Sequence, residues 1–181
     1  MRVFTPLSEQ TIGSLKCGSN VLLNGIIYTA RDAAHKRMVE ALAAGEDLPF
    51  KPEGQVIYFV GPTPAPPGRI IGSAGPTTSG RMDAYSPILL EKGLRGLIGK
   101  GPLSAEVLQV IKETGSVYFG AIGGAGALLS SCIKKVEVLA YPELGPEAIH
   151  KLEVEDLPAI VLVDCYGNNL YELGRAKYQL T

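Results

Sequence analysis

The sequence predicts an α/β layered domain. From Asn20 onward, short apolar runs alternate with segments of helical periodicity, the pattern of strands interleaved with helices. Runs such as QVIYFV (Gln55–Val60) and AIVLVD (Ala159–Asp164) are apolar at nearly every position, as strands buried on both faces are. Glycine and proline concentrate at the junctions between these segments.

The opening residues, to about Ser19, read as extended and then irregular or briefly helical. NVLLNGIIYT (Asn20–Thr29) is rich in β-branched and aromatic residues and reads as one long strand bent at Gly25. Arg31–Ala44 reads as a helix with Ala34, Met38 and Leu42 on one stripe and Gly45 as its stop. A polar loop leads to the strand Gln55–Val60, and the four prolines of Gly61–Gly68 exclude regular structure there. A short strand is expected at Arg69–Ser73, a helix at Arg81–Lys92 and a brief strand at Gly96–Gly99.

Ser104–Thr114 reads as an amphipathic helix with Ser104 as N-cap and Gly115 just past its end. A strand at Ser116–Gly120, a glycine turn at Gly123–Gly126, a short helix to about Cys132 and a strand at Lys134–Ala140 follow. Ala159–Asp164 is the final buried strand expected. No internal repeat or low-complexity tail is seen, so residues 1–181 read as one domain.

Composition narrows the function. The chain has 181 residues, 46% hydrophobic and 19% charged, on the apolar side of the globular range, which hints at a surface covered by a partner. A net charge of −1 offers no nucleic-acid footprint or basic membrane patch. No apolar run is long enough to cross a bilayer, and the N-terminus lacks a signal-peptide pattern, so a cytoplasmic protein is expected. Cys17, Cys132 and Cys165 are widely spaced, without the close pairs typical of metal and cluster sites, and read as small buried hydrophobes. His150 lies among polar neighbours and reads as exposed.

Chemistry is expected at three junctions. TARDAAHKR (Thr29–Arg37) starts where a strand gives way to a helix, so free N–H groups and the positive dipole end gather there. Arg31 is placed to grip a carboxylate and His35 lies one turn on; the bland reading is a solvated helix start with an Asp32–Lys36 pair.

GPTTSGRMD (Gly75–Asp83) sets three hydroxyls between glycines, followed by Arg81, a plausible anion pocket; the bland reading is a tight turn with a helix cap. It is not a nucleotide-binding P-loop: Arg81 stands where lysine belongs and Met82 replaces the magnesium-binding hydroxyl. GKG (Gly99–Gly101) presents Lys100 at a strand end, as a ligand contact or an ordinary surface lysine. The Gly123–Gly126 turn lacks the third glycine of a dinucleotide fingerprint and suggests close packing or a backbone anion nest.

Together these segments resemble the β subunit of two-subunit class I fumarases and the related tartrate dehydratases. The resemblance rests on TARDAAHKR, GPTTSGRMDAY (Gly75–Tyr85), IGKG (Ile98–Gly101), the run Tyr118–Leu139, YPELGPEAI (Tyr141–Ile149) and PAIVLVDCYGN from Pro158. It implies a swivelling β/β/α fold and reversible hydration of fumarate to (S)-malate. It also implies a [4Fe–4S] cluster as Lewis acid, held by a separate α subunit in a hetero-oligomer such as α2β2.

By the same resemblance Arg31 and Arg81 clamp substrate carboxylates, Lys100 is a further substrate contact and Thr77 is the base that removes the carbon-bound proton. The cluster ligands would all lie on the partner. A guanidinium fork matches a carboxylate, and cations beside the carbanion-forming carboxylate stabilise the charge that develops. A threonine hydroxyl needs activation to act as a base. Hydration of tartrate-like or methyl-substituted dicarboxylates, and non-catalytic sensing of a dicarboxylate, are the alternatives.

Overall fold

The computed structural model describes residues 1–179. It is a mixed α/β structure, as the sequence predicts. The strands are β1 (Arg2–Thr5), β2 (Asn20–Thr29), β3 (Val56–Tyr58), β4 (Gly96–Gly99), β5 (Val117–Gly120), β6 (Ile133–Ala140) and β7 (Ile149–Val163). The helices are α1 (Glu9–Ser14), α2 (Asp32–Ala43), α3 (Ser86–Glu91), α4 (Ala105–Thr114), α5 (Gly126–Ser131) and α6 (Leu170–Tyr178).

Strands β1 to β5 run parallel in sheet order β1-β2-β3-β4-β5, and β7 follows antiparallel to β5. β7 also pairs antiparallel with β2, from Asn20↔Ile160 to Tyr28↔Lys151, so the sheet closes on itself in a small barrel-like ring. The pairing shifts register between Leu23 and Gly25, where Gly25 has φ 106° and a Cβ would stand 2.8 Å from the Thr5 carbonyl. The bend anticipated at Gly25 is this bulge.

Alternation along the central strands divides two cores. Val56 and Tyr58, Ile98, and Val117 and Phe119 point into the ring; Ile57, Leu97 and Tyr118 point outward under the helices. Both faces are buried, hence the unbroken apolar runs. α2 covers the outer face with Ala34 and Met38, both fully buried, and α4 with Val107, Val110 and Ile111. α4 has both expected caps: Ser104 Oγ accepts from Val107 N–H, and Gly115 takes the left-handed conformation at φ 63°.

The structure corrects the sequence reading in several places. No helix spans Arg81–Lys92. A 3-10 turn over Ser79–Met82 is followed by α3 from Ser86, with Pro87 in its first turn. A helix begun at Arg81 would carry Pro87 in its interior, at a cost of about 3 kcal/mol; starting at Ser86 removes that conflict.

Arg69–Ser73 forms no strand. It closes locally on Thr63, whose N–H donates to Ser73 O and whose carbonyl accepts from Gly72 N–H. The final strand is longer than Ala159–Asp164. It includes Pro158, which sits opposite Leu22, and the Leu22 N–H is turned away to Met1 O, so the missing proline donor breaks no bond. His150 is buried, at 9% exposure, because its strand position turns it onto Thr29: its N–H donates to Thr29 Oγ1 at 2.9 Å. Helix α6, capped by Asn169, has no counterpart in the sequence reading.

Candidate functional site

The carboxyl ends of β2, β3, β4 and β5 all open on one end of the sheet, because the four strands are parallel. Ligands bind at this end of parallel strands in open α/β sheets and in closed α/β barrels alike. All three sequence-selected junctions fall there. Arg31 follows β2, Lys100 follows β4, the Gly123–Gly126 turn follows β5, and Gly75–Arg81 crosses between them.

The crossing segment is fastened by backbone bonds. Thr77 N–H donates to Phe59 O at 2.7 Å, one residue beyond β3. Thr78 and Lys100 form a parallel bridge, and Ser79 N–H donates to Lys100 O at 2.9 Å. The Lys100 N–H returns the contact to Ser79 Oγ at 3.0 Å. Ser79, fully buried, also meets the Tyr118 hydroxyl at 2.8 Å, and Tyr118 donates onward to Gly101 O at 2.8 Å. With that proton committed, Ser79 is the donor in its bond to Tyr118. Burial pushes the Tyr118 phenol far up, so it stays protonated.

Glycines make the approach possible. A Cβ on Gly126 would lie 2.3 Å from Ser73 Oγ and 2.9 Å from Gly75 N, while Ala74 N–H donates to Gly126 O at 3.0 Å. A Cβ on Gly123 would stand 3.7 Å from the Lys100 ammonium, so this turn lies against Lys100. Close packing, rather than a dinucleotide cradle, accounts for Gly126. Lys100 and Thr78 are exposed and Thr77 is half-buried. Among the described residues Thr77 Oγ1 makes no hydrogen bond within the chain. It precedes a 3-10 turn and not an α-helix, so no α-helix dipole lies directly behind it.

The arginines are held by carboxylates of this chain. Arg31, at the N-cap of α2, has a terminal nitrogen 3.2 Å from Glu147 Oε1 and 3.8 Å from Asp32 Oδ2. Glu147 Oε2 accepts from Ala33 N–H at 3.2 Å and so occupies one of the free donors of the helix start. Arg81 Nε donates to Asp32 Oδ1 at 2.8 Å. The Asp32–Lys36 pair does not form; Lys36 lies 3.7 Å from Glu40 instead. Glu147 and Tyr118 were not singled out in the sequence, Asp32 was read only as a partner for Lys36, and Ser79 only as one of the three hydroxyls of the loop. Only Asp32 carries a local signal, its place in the first turn of a helix beside an arginine.

His35 is fully buried against Phe59 and Tyr85. Its Nδ1–H donates to Arg31 O at 2.9 Å, leaving Nε2 as a bare acceptor with no partner among the described residues. Burial lowers its pKa to about 4, so it is neutral at physiological pH and its packing role outweighs any charge.

The cysteines are partly buried and separate. Cys17 Sγ donates to Leu162 O, Cys132 Sγ to Asp156 O and Cys165 Sγ to Ile12 O. Burial raises the thiols of Cys17 and Cys165, away from the thiolate a metal requires. Among the described residues no three His, Cys, Asp or Glu side chains converge as a metal-ligand set. The donors among the described residues do not fit an iron–sulfur cluster. Among the described residues no helix is long and apolar enough to cross a membrane.

Residues 2–174 match the family model described as Fumarase C-terminus. The chain is 43% identical over 165 residues to "Fumarate hydratase 2" of Leishmania major, covering 90% of this chain and 29% of that protein. It is 42% identical over 171 residues to "Fumarate hydratase class I, aerobic" of Salmonella typhimurium, covering 92% of this chain and 30% of that protein. It is 40% identical over 175 residues to "Putative L(+)-tartrate dehydratase subunit beta" of Methanocaldococcus jannaschii, where the match covers 93% of this chain and 90% of the other. The chain thus spans under a third of the length of the two fumarate hydratases and nearly all of the tartrate dehydratase subunit.

Proposed function

Because the chain belongs to the fumarase C-terminus family, we propose that residues 1–181 act as one domain, the cluster-free β subunit of a hydro-lyase that reversibly hydrates fumarate to (S)-malate. The observation that carries this reading is the meeting, at the carboxyl ends of parallel strands, of two arginines, a lysine and a threonine-rich loop on one surface.

In this reading Arg31 and Arg81 take the substrate carboxylates and Lys100 adds a third cation. The cations also stabilise negative charge as a proton leaves the carbon next to a carboxylate. Thr77 Oγ1 receives that proton. Its hydroxyl has no hydrogen-bond partner among the described residues, and the other subunit is assigned the group that activates it. A [4Fe–4S] cluster, held by a cluster-bearing α subunit in a hetero-oligomer such as α2β2, supplies Lewis-acid chemistry when bound. The complex works in the cytoplasm.

A tartrate dehydratase subunit is the second reading, favoured by the relative that this chain covers almost end to end. The test is anaerobic reconstitution with the cluster-bearing subunit and steady-state assay on fumarate, malate and tartrate. Hydration of fumarate by the pair, with neither subunit active alone, is the expected result. Turnover of tartrate alone would move the assignment to the second reading. Absence of activity on all three, with micromolar binding of malate to this chain alone, would overturn the enzymatic reading in favour of a dicarboxylate sensor.

A further inference from the structure

Arg31 and Arg81 come from different elements and approach the same carboxylate. Asp32 receives the Arg81 Nε–H on Oδ1 at 2.8 Å and faces the Arg31 terminal nitrogen from Oδ2 at 3.8 Å. Asp32 Oδ2 and Arg31 Nε are buried atoms without hydrogen-bond partners among the described residues. Arg81 meets Asp32 through Nε, which leaves its terminal nitrogens without a hydrogen bond among the described residues. Its side chain is 50% exposed, against 22% for Arg31.

We propose that Asp32 is a positioning residue, the shared counter-ion that couples Arg31 and Arg81 into one carboxylate clamp. The proposal rests on the reading above that these arginines hold the substrate. Two guanidinium groups brought to one small ligand repel each other, and a carboxylate between them offsets that repulsion. Asp32 sits in the first turn of α2, where a negative charge is favoured by the helix dipole and its short side chain has little freedom. It engages Arg81 along the Nε edge, so the terminal N–H groups remain available to a ligand carboxylate.

Arg31 keeps a second anchor in Glu147 at 3.2 Å, whereas Asp32 is the sole carboxylate partner of Arg81 among the described residues. Loss of Asp32 therefore loosens Arg81 more than Arg31, and the two arginines cease to sense each other.

The coupling is tested in the full chain by NMR of ¹⁵N-labelled arginine Nε–H groups, which needs neither partner nor activity. The expected result is that Arg81→Lys shifts the Arg31 Nε–H resonance when Asp32 is present and leaves it unmoved in an Asp32→Ala background. Asp32→Asn, which keeps the side-chain shape and removes the charge, gives the same loss of coupling and guards against a folding defect in the alanine variant. An Arg31 resonance indifferent to Arg81→Lys in the wild-type background would overturn the proposal.

The second arm is steady-state kinetics of the reconstituted pair. Asp32→Ala raises KM on the order of tenfold, the size expected for losing a hydrogen bond between charged groups, and lowers kcat as well, because the loosened arginine also stabilises the charge that develops. An unchanged KM would also overturn it. If the wild-type pair hydrates no dicarboxylate, the functional reading fails and the NMR arm alone decides whether Asp32 couples the arginines.

Discussion

The backbone N–H of Lys100 donates to the side-chain oxygen of Ser79 at 3.0 Å, while the Ser79 N–H donates to the Lys100 carbonyl at 2.9 Å. This reciprocal pair joins the residue after β4 to the threonine-rich segment. Ser79→Ala removes the oxygen, leaves the Lys100 N–H without its acceptor and deprives Tyr118 of a donor. The site is fully buried, so a loss of about 1–3 kcal/mol is expected, read as a lowered urea midpoint with an unchanged m-value. A midpoint equal to wild type would mean that the segment is held by its backbone bonds alone.

Gly126 is predicted to accept no side chain without moving the neighbouring loop. The nearest backbone atom of Gly75 would be 2.9 Å from an alanine Cβ. Gly126→Ala is expected to push the Gly75–Thr78 segment aside, lowering catalytic activity. Gly123→Ala is the comparison: its Cβ would meet only ordinary contacts near 3.6 Å, and the change should stay within about 0.5 kcal/mol of wild-type stability. Equal activity of the two variants would show that the Gly126 contact does not set the geometry of the loop.

Thr77 and Thr78 separate in the structure as well as in the proposed chemistry. Thr77 is half-buried beside Phe59 O, while Thr78 is exposed on the bridge to Lys100. In the reconstituted pair, Thr77→Ala should lower kcat roughly 10²- to 10⁴-fold, the range for losing a general base. KM should change little, Thr78→Ala should be far milder, and Thr77→Ser should retain much activity. A Thr77→Ala enzyme within about threefold of wild type, or a Thr78→Ala enzyme that is the inactive one, would remove Thr77 from the role of base.

His35 makes stability depend on pH. Its folded pKa, about 4, lies below the unfolded value near 6.5, because burial disfavours the imidazolium. Between those values the unfolded chain binds a proton that the folded chain does not. Its contribution is therefore fully present above about pH 6.5 and declines as pH falls toward 4, by on the order of 3 kcal/mol. Urea unfolding at pH 7 and pH 5 should show this slope, and His35→Gln should flatten it. An identical slope in His35→Gln would assign the pH dependence to other groups.

The sequence by itself determined what is encoded within a few residues. The apolar strands and α4 with its serine N-cap and glycine stop were legible because periodicity and capping are local relations. So were the glycine bend in β2 and the three junctions carrying Arg31, Thr77–Arg81 and Lys100. Only the tertiary structure decided the closure of β2 on β7, the burial of His150 against Thr29, and the partners of the arginines. The α3 boundary is locally encoded by Pro87, which suits the first turn of a helix and not its interior. Asp32 meets Arg81, and Glu147 meets Arg31, across chain separations that leave no mark on the spacing of either residue. Ion pairs of this kind depend on approach within about 4 Å, and that approach is set when parallel strands carry their following loops to the same end of the sheet.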